Sequence, residues 1–298
     1  MHSNSNIDVS IIIVNFRTPQ LTINCVQSIR QVMKESPYQY EIIVVDNCSG
    51  DDSVQQMQFL SDENTKIVET DRNGGFAYGN NWGVRCSQGE YLFFLNSDTL
   101  LYPDTLSEMI TYMKNNREIG VMSCYMEDGD KAPLVISHSF ENTKSLFMQT
   151  FVKPFIPTFV KRIRAERYQK NLDNAVFDCD WVSGAAMLIH KEVFAKIGGW
   201  DEKFFMYMED EELCFCVHQL NLRVCVYPKM GLQHLIGKSG GSAFVAYEKH
   251  KSGILYFRRH QKGNFKIQRK LILLQARQYM KGLPSKTKKE VLKKLKEV

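Results

Sequence analysis

Short, unbroken apolar runs alternate with stretches whose hydrophobic residues recur every three to four positions along the first part of the chain. Val9–Val14 is a β-branched run without alternation, the pattern of a strand covered on both faces. Thr18-Pro19 marks a helix start, and Leu21, Cys25, Ile29 and Met33 follow at a spacing of four. Ile42–Val45, Lys66–Glu69 and Glu90–Leu95 read as further strands. Between them lie the acidic turn Asp46–Asp52, which leads into Ser53–Leu60, and Asn73-Gly74-Gly75, which opens a helix from about Ala77 to Cys86. Strands alternating with helices predict an α/β fold with a largely parallel central sheet flanked by helices. Pro103 then opens a helix over Asp104–Asn115, and Gly120–Tyr125 is another strand. The pattern fades from Asp128 to Asn174 and returns over Cys179–His190, in helices from Lys191 and around Glu209–Glu212, and in a strand Arg223–Tyr227 ending before Pro228.

Composition changes this picture little: 298 residues, 44% hydrophobic and 24% charged, fit an ordinary globular chain with a well-buried core. No run approaches the ~20 apolar residues of a membrane-spanning helix. Met1–Asp8 lacks the basic and apolar regions of a secretory signal, so a cytoplasmic protein is expected. The eight cysteines show no Cys-x-x-Cys spacing and read as reduced thiols, with Cys214 and Cys216 in core packing. A net charge of +5 is too mild for a nucleic-acid coat, and no nucleic-acid partner is expected.

Candidate chemistry gathers where ligands bind parallel sheets, at the carboxyl ends of strands. Asp46 and Asp98 each stand just past such an end and are expected to share one crevice. A carboxylate at position 46 can accept hydrogen bonds from a base or ribose, whereas Asp52 and Ser53 read as a helix cap. Asn73–Gly83 holds four glycines at a helix entrance but matches neither a Walker loop nor a G-x-G-x-x-G fingerprint. Asp98, an oxygen donor at a strand end, suits Mg²⁺ or Mn²⁺ bound with substrate phosphates. The run Met206–Cys214 offers a general base among four acids, with a solvated helix face accounting for Glu211. His234 is either a metal ligand or a structural histidine.

Taken in order, VSIIIVNF, VVDNCSGDDS, NGGFAYGNNWG, LFFLNSDT, the segment from Trp181 to Cys214 and the His234 segment resemble the family 2 glycosyltransferases, closest to their rhamnosyltransferase-like branch. The resemblance implies a GT-A fold and inverting transfer of a sugar from a nucleotide-diphosphate donor to a saccharide or lipid-linked acceptor in bacterial surface polysaccharide synthesis. It implies that Asp46 contacts base or ribose, and that Asn15, Arg17, Gly74, Gly75 and Asn80 line the donor pocket. It further implies that Asp98 and His234 hold Mn²⁺ or Mg²⁺, that Asp210 is the base, and that Trp181, Ser183, Gly184 and Glu209 shape the acceptor side. Asn96, Glu212 and Cys216 depart from the family's usual residues. Two other readings are a sugar-nucleotide nucleotidyltransferase, for which Val14–Thr18 makes a poor phosphate loop, and a catalytically silent sugar- or lipid-binding module.

The expected organisation is a glycosyltransferase domain over 7–245, with a nucleotide-binding half to about 99 and an acceptor half from about 100, followed by a basic helical region over 246–298. Lys251–Val298 carries 15 Lys+Arg and two acids, which gives +13 against −8 for the rest. Val291, Leu292, Leu295 and Val298 form an amphipathic helical stripe suited to an anionic membrane surface, which places the protein peripherally at the inner face. Phe147, Phe151, Phe155 and Phe159 recur every four residues near Lys153, Lys161, Arg162 and Arg164, as core packing or as an interfacial segment.

Overall fold

The structure is a computed structural model and describes residues 7–152, 155–156, 175–235, 242–260 and 263–298. Strands β1 (Val9–Asn15), β2 (Tyr40–Asp46), β3 (Thr65–Glu69) and β4 (Tyr91–Asn96) pair in parallel in the order β3-β2-β1-β4. Helices α1 (Pro19–Met33), α2 (Ser53–Met57) and α3 (Gly75–Arg85) make the crossovers. Ile11, Ile12 and Ile13 are all fully buried, so consecutive side chains on both faces of β1 leave water, which explains the run without alternation. Each such burial stabilises by roughly 1.5–3 kcal/mol. Two of the four glycines in the glycine-rich segment serve this packing. A Cβ at Gly79 would lie 2.8 Å from Val14, and one at Gly83 2.5 Å from Ile12, so α3 sits directly on β1.

The second half contributes β5 (Thr99–Leu101), α4 (Thr105–Asn115), β6 (Ile119–Glu127), β7 (Ser137–His138), α5 (Thr143–Phe151), β8 (Phe177–Asp178), β9 (Trp181–Val182), β10 (Ala186–His190), α6 (Lys191–Lys196), α7 (Glu209–Gln219) and β11 (Arg223–His234). The central sheet continues as β4-β10-β6-β11-β5, with β10 antiparallel to both neighbours and β11 parallel to β6. The sheet is therefore parallel in its first four strands and mixed beyond. β11 runs past Pro228, where the strand was expected to stop. A register shift against β6 between Tyr227 and Gly231 absorbs the missing donor, and the strand reaches His234.

Helices α8 (Ala243–His260), α9 (Phe265–Tyr279) and α10 (Ser285–Glu297) build a second apolar cluster, joined by Leu146 of α5 and by Phe204. Within it Leu295 is fully buried and Val291 nearly so, with Leu292 and Val298 packed against them. The stripe expected to meet a membrane thus faces protein, because three short helices need it to close their core. Among the described residues no helix is long and apolar enough to cross a membrane. All eight cysteines are free thiols, and Cys214 is buried. Phe159, Lys153, Lys161, Arg162 and Arg164 lie outside the described residues.

Candidate active site

Sheet register brings the expected donor-side residues to one edge: Asn15 pairs with Asp46, and Val14 with Asn96, at the carboxyl ends of β1, β2 and β4. Asp46, however, turns inward. Its Oδ1 accepts from Asn15 Nδ2 and Ser49 Oγ, both at 2.6 Å, and its Oδ2 accepts from Ser49 N at 2.9 Å. It is 1% exposed. Three of its acceptor positions are thus taken within the protein, and Asp46 holds the loop after β2. Asn15 is equally buried, its Oδ1 accepting from Thr22 Oγ1 at 2.9 Å, and Asn80 Nδ2 caps Phe76 O within α3 at 3.0 Å. Arg17 stands exposed between Phe16 and Thr18, its Nε donating to Ser49 O at 2.9 Å. Asp51, not Asp52, accepts from Ser53 N at 3.0 Å ahead of α2.

A cavity of about 310 Å³ opens at this edge, lined by Phe16, Thr18, Asn47, Asn73, Gly75, Phe76, Asn96, Asp98 and Phe205, among others. Asn47 and Asn73 are the polar side chains of the loops after β2 and β3 that reach its lining. Asn47 Nδ2 donates to Gly75 O at 3.0 Å and to Asn73 Oδ1 at 3.1 Å, which also accepts from Gly75 N. Both asparagines lie within segments singled out from the sequence, Asp46–Asp52 and Asn73–Gly83, but nothing in residue type says which of two neighbouring polar side chains faces the crevice. Gly75 holds φ at +88°, and a Cβ there would lie 2.1 Å from Phe205 O. Only glycine lets the chain at 205 close over α3, where Phe76 N donates to Phe205 O at 2.9 Å. Gly74 approaches the Tyr78 ring, which a Cβ would meet at 2.3 Å.

Behind the cavity-lining Asp98, His234 Nε2 lies 3.1 Å from Asp98 Oδ1, both half-buried. The short strand β5, which sequence reading missed, aligns antiparallel with β11 and sets Thr99 opposite His234. Leu235 N donates to Asp98 O at 2.8 Å, and the Asn96 amide stands 3.5 Å from the imidazole. Among the described residues no three His, Cys, Asp or Glu side chains gather as a metal cluster. The protein thus offers one oxygen and one nitrogen donor, which fits an ion whose other ligands come from phosphate and water.

A single turn links Asp210 to the end of β4. Gly184 N donates to Asp210 Oδ2 at 3.2 Å, and the next residue's carbonyl, Ala185 O, accepts from Asn96 N at 2.9 Å. A Cβ on Gly184 would touch the Phe76 ring at 3.4 Å and Asp210 Cβ at 3.5 Å, so Gly184 separates the donor-side cavity from the acid. Tyr207 and Met208, at φ 66° and 71°, hold left-handed backbone in succession, a strained turn that feeds Glu209–Glu212 into the first turn of α7. Carboxylates suit a helix N-terminus.

The four acids differ in environment. Burial, then the charge of Asp210, pushes the Glu209 carboxyl well above its usual range, and its Oε2 has no protein partner. Burial raises Asp210 as well, but the amides of Gly184 and Glu211 oppose this, so Asp210 is the member of the pair that ionises first. Glu211, expected on a solvated face, is 1% exposed, and burial carries it up to about 8. Tyr256 of α8 and the Glu141 backbone, whose N–H donates to Glu211 Oε1 at 2.6 Å, lie beside it. Burial would also raise Glu212, but His260 Nε2 and Arg259 Nη1, both at 2.5 Å, outweigh it and hold the carboxyl below its ordinary value.

A second cavity of about 330 Å³ lies on the far side of Asp210, lined by His138, Glu141, Gln149, Trp181, Glu209, Lys249 and Gln275 among others. The Trp181 and His138 rings stack at 4.2 Å and 23°, a flat apolar wall beside carboxyl groups. Ser183 is turned to its own loop, its Oγ accepting from Ala185 N at 3.3 Å. Aromatic face and hydrogen-bonding carboxyls together suit a hydroxyl-rich ring.

Known proteins share this architecture. The mannosyltransferase PcManGT from Pyrobaculum calidifontis, solved with GDP-Man and Mn²⁺, superposes at a TM-score of 0.57 with 16% identity, over 96% of this chain and 73% of its own. That likeness shows the fold, the GT-A arrangement of glycosyltransferases. In sequence the chain is 28% identical over 221 residues to the low-salt glycan biosynthesis hexosyltransferase Agl10 of Haloferax volcanii, covering 73% of this chain and 64% of that protein. It is 26% identical over 207 residues to the rhamnosyltransferase WbbL of Escherichia coli, covering 67% and 72%. Residues 10–198 match the sequence model of Glycosyl transferase family 2, and the chain belongs to that family.

Proposed function

We propose that the chain moves a hexose from a nucleotide-diphosphate donor to a hydroxyl of a saccharide acceptor, free or lipid-linked, with inversion at the anomeric carbon, during cell-surface polysaccharide synthesis. The observation that carries this reading is the pair of cavities divided by Gly184, with Asp98 and His234 at one and Asp210 at the other. The donor diphosphate lies against the Asp98 side, near the Asn47–Asn73–Gly75 network. The acceptor ring stacks on Trp181. A hydroxyl entering from the Asp210 side meets the anomeric carbon opposite the leaving group, which makes the transfer inverting.

Asp210 takes the acceptor proton as the new carbon–oxygen bond forms and the bond to the diphosphate breaks. Glu209, neutral when Asp210 is ionised, donates a hydrogen bond to a neighbouring acceptor hydroxyl. Asp98 and His234 would hold Mn²⁺ or Mg²⁺, which would supply Lewis acidity for the charge that develops on the leaving diphosphate. The likeness to WbbL makes rhamnose the first sugar to try.

Incubation with UDP-, GDP- and dTDP-sugars plus Mn²⁺, followed by assay of nucleotide diphosphate release, tests the reading. At least one donor is expected to turn over. Failure of every donor overturns it.

A further inference from the structure

Five of the thirteen large hydrophobic side chains exposed among the described residues fall in one short span: Phe147, Met148, Phe151, Val152 and Phe155. Phe155 is 82% exposed and Phe147 52%, whereas Leu146 and Thr150 on the opposite side of α5 are buried. The inner side is held by α9. Gln268 Nε2 donates to Thr143 Oγ1 and Gln275 Nε2 to Thr150 Oγ1, both at 3.0 Å, so the two helices run parallel.

Helical rotation then sorts their faces. Gln149 of α5 and Ile272 of α9 line the cavity that holds Asp210. Phe147 and Phe151 lie on the other side of the layer, and Ile267 of α9, itself 48% exposed, falls on that same side. Exposed Lys144, Lys270 and Arg277 stand at its borders. Together α5 and α9 carry five basic residues and no acidic one, and α9 lies within the C-terminal region of +13.

We propose that this two-helix face, and not the stripe of α10, docks on an anionic lipid bilayer, with the phenylalanines entering the headgroup–acyl boundary and the flanking bases meeting lipid phosphates. The apolar centre and basic border match both parts of such a surface. The Asp210 cavity then lies about one helix diameter, roughly 10 Å, from the lipid. The inference goes beyond the proposed sugar transfer and does not need it.

Flotation of the full chain with vesicles of phosphatidylglycerol and phosphatidylethanolamine, against pure phosphatidylcholine, tests it without any sugar donor. The chain is expected to float with the anionic vesicles, less so at high salt. Phe147→Ser/Phe151→Ser, at exposed positions, should melt like the parent and lose binding by at least ~10-fold. Lys289→Glu/Lys293→Glu on α10 should bind nearly as the parent does. The proposal is overturned if the parent stays unbound, if the phenylalanine variant floats equally, or if only the α10 variant fails to bind. A parent dimer that the phenylalanine variant splits, with no vesicle binding, assigns the face to a second copy and also overturns it.

Discussion

The backbone N–H of Gly184 donates to the carboxylate of Asp210 at 3.2 Å, and that bond favours ionisation of Asp210 over its neighbour Glu209. Glu209 lacks an equivalent donor at Oε2 and keeps its proton. With Asp210 as the proposed base, activity needs it ionised, and kcat/KM should fall as pH drops through a pKa above the ordinary aspartate value of 3.8. Glu209→Gln replaces one neutral group by another. It is expected to leave that acidic limb in place and to change kcat by less than about tenfold. A pH–rate profile of the two proteins checks both points.

Gly75→Ala should damage fold and site together. The new methyl group would meet Phe205 O at 2.1 Å in backbone that only glycine adopts readily. Relief requires moving the chain at Phe205 that closes the donor cavity. A loss of roughly 1–3 kcal/mol in stability is expected, with weakened nucleotide binding, read from denaturant melts and nucleotide titration.

Asp98→Ala and His234→Ala each remove one of two protein donors from the proposed ion. The Mn²⁺ concentration for half-maximal nucleotide diphosphate release should rise about tenfold or more in either variant. Chelation of the parent should abolish release and Mn²⁺ should restore it. Equal Mn²⁺ dependence in parent and variants would place the ion elsewhere.

Glu211 links stability to pH. Its carboxyl moves from an ordinary 4.5 to about 8 on burial, so the folded chain holds a proton that the unfolded chain releases between those values. The contribution is intact below pH 4.5 and is lost as pH rises through 8, by up to several kcal/mol on the order of the shift. Glu211→Gln keeps an acceptor for Glu141 N and removes the ionisation. Melting temperatures between pH 5 and 8.5 should fall less steeply in this variant than in the parent.

Much of this was legible in the chain, and the gaps have physical causes. Continuous apolar runs announced β1, β2 and β4, because both faces of these strands are buried. β5 and the two-residue strands β7, β8 and β9 are too short to show any period, yet β5 is what sets His234 beside Asp98. Asp98 was readable as a candidate from residue type at a strand end and Gly75 from a glycine-rich helix entrance, whereas Trp181 and the choice of Asp210 among four acids came from the family resemblance. The inward turn of Asp46 was not, since a carboxylate facing Ser49 and one facing a ligand look alike in sequence. Nor was the burial of Glu211 and Glu212, whose partners Tyr256, Arg259 and His260 arrive some 45 residues later on α8.

The central claim is that Asp210 is the base for transfer to an acceptor hydroxyl. Nucleotide diphosphate release by Asp210→Asn, measured beside the parent on the donor the parent turns over, tests it most directly. Asparagine preserves size and can still accept from Gly184 N, so the fold and donor binding should persist. The expected result is a fall in kcat of about 10²–10⁴-fold with little change in donor KM. A variant that releases nucleotide diphosphate at the parent's rate would contradict the assignment.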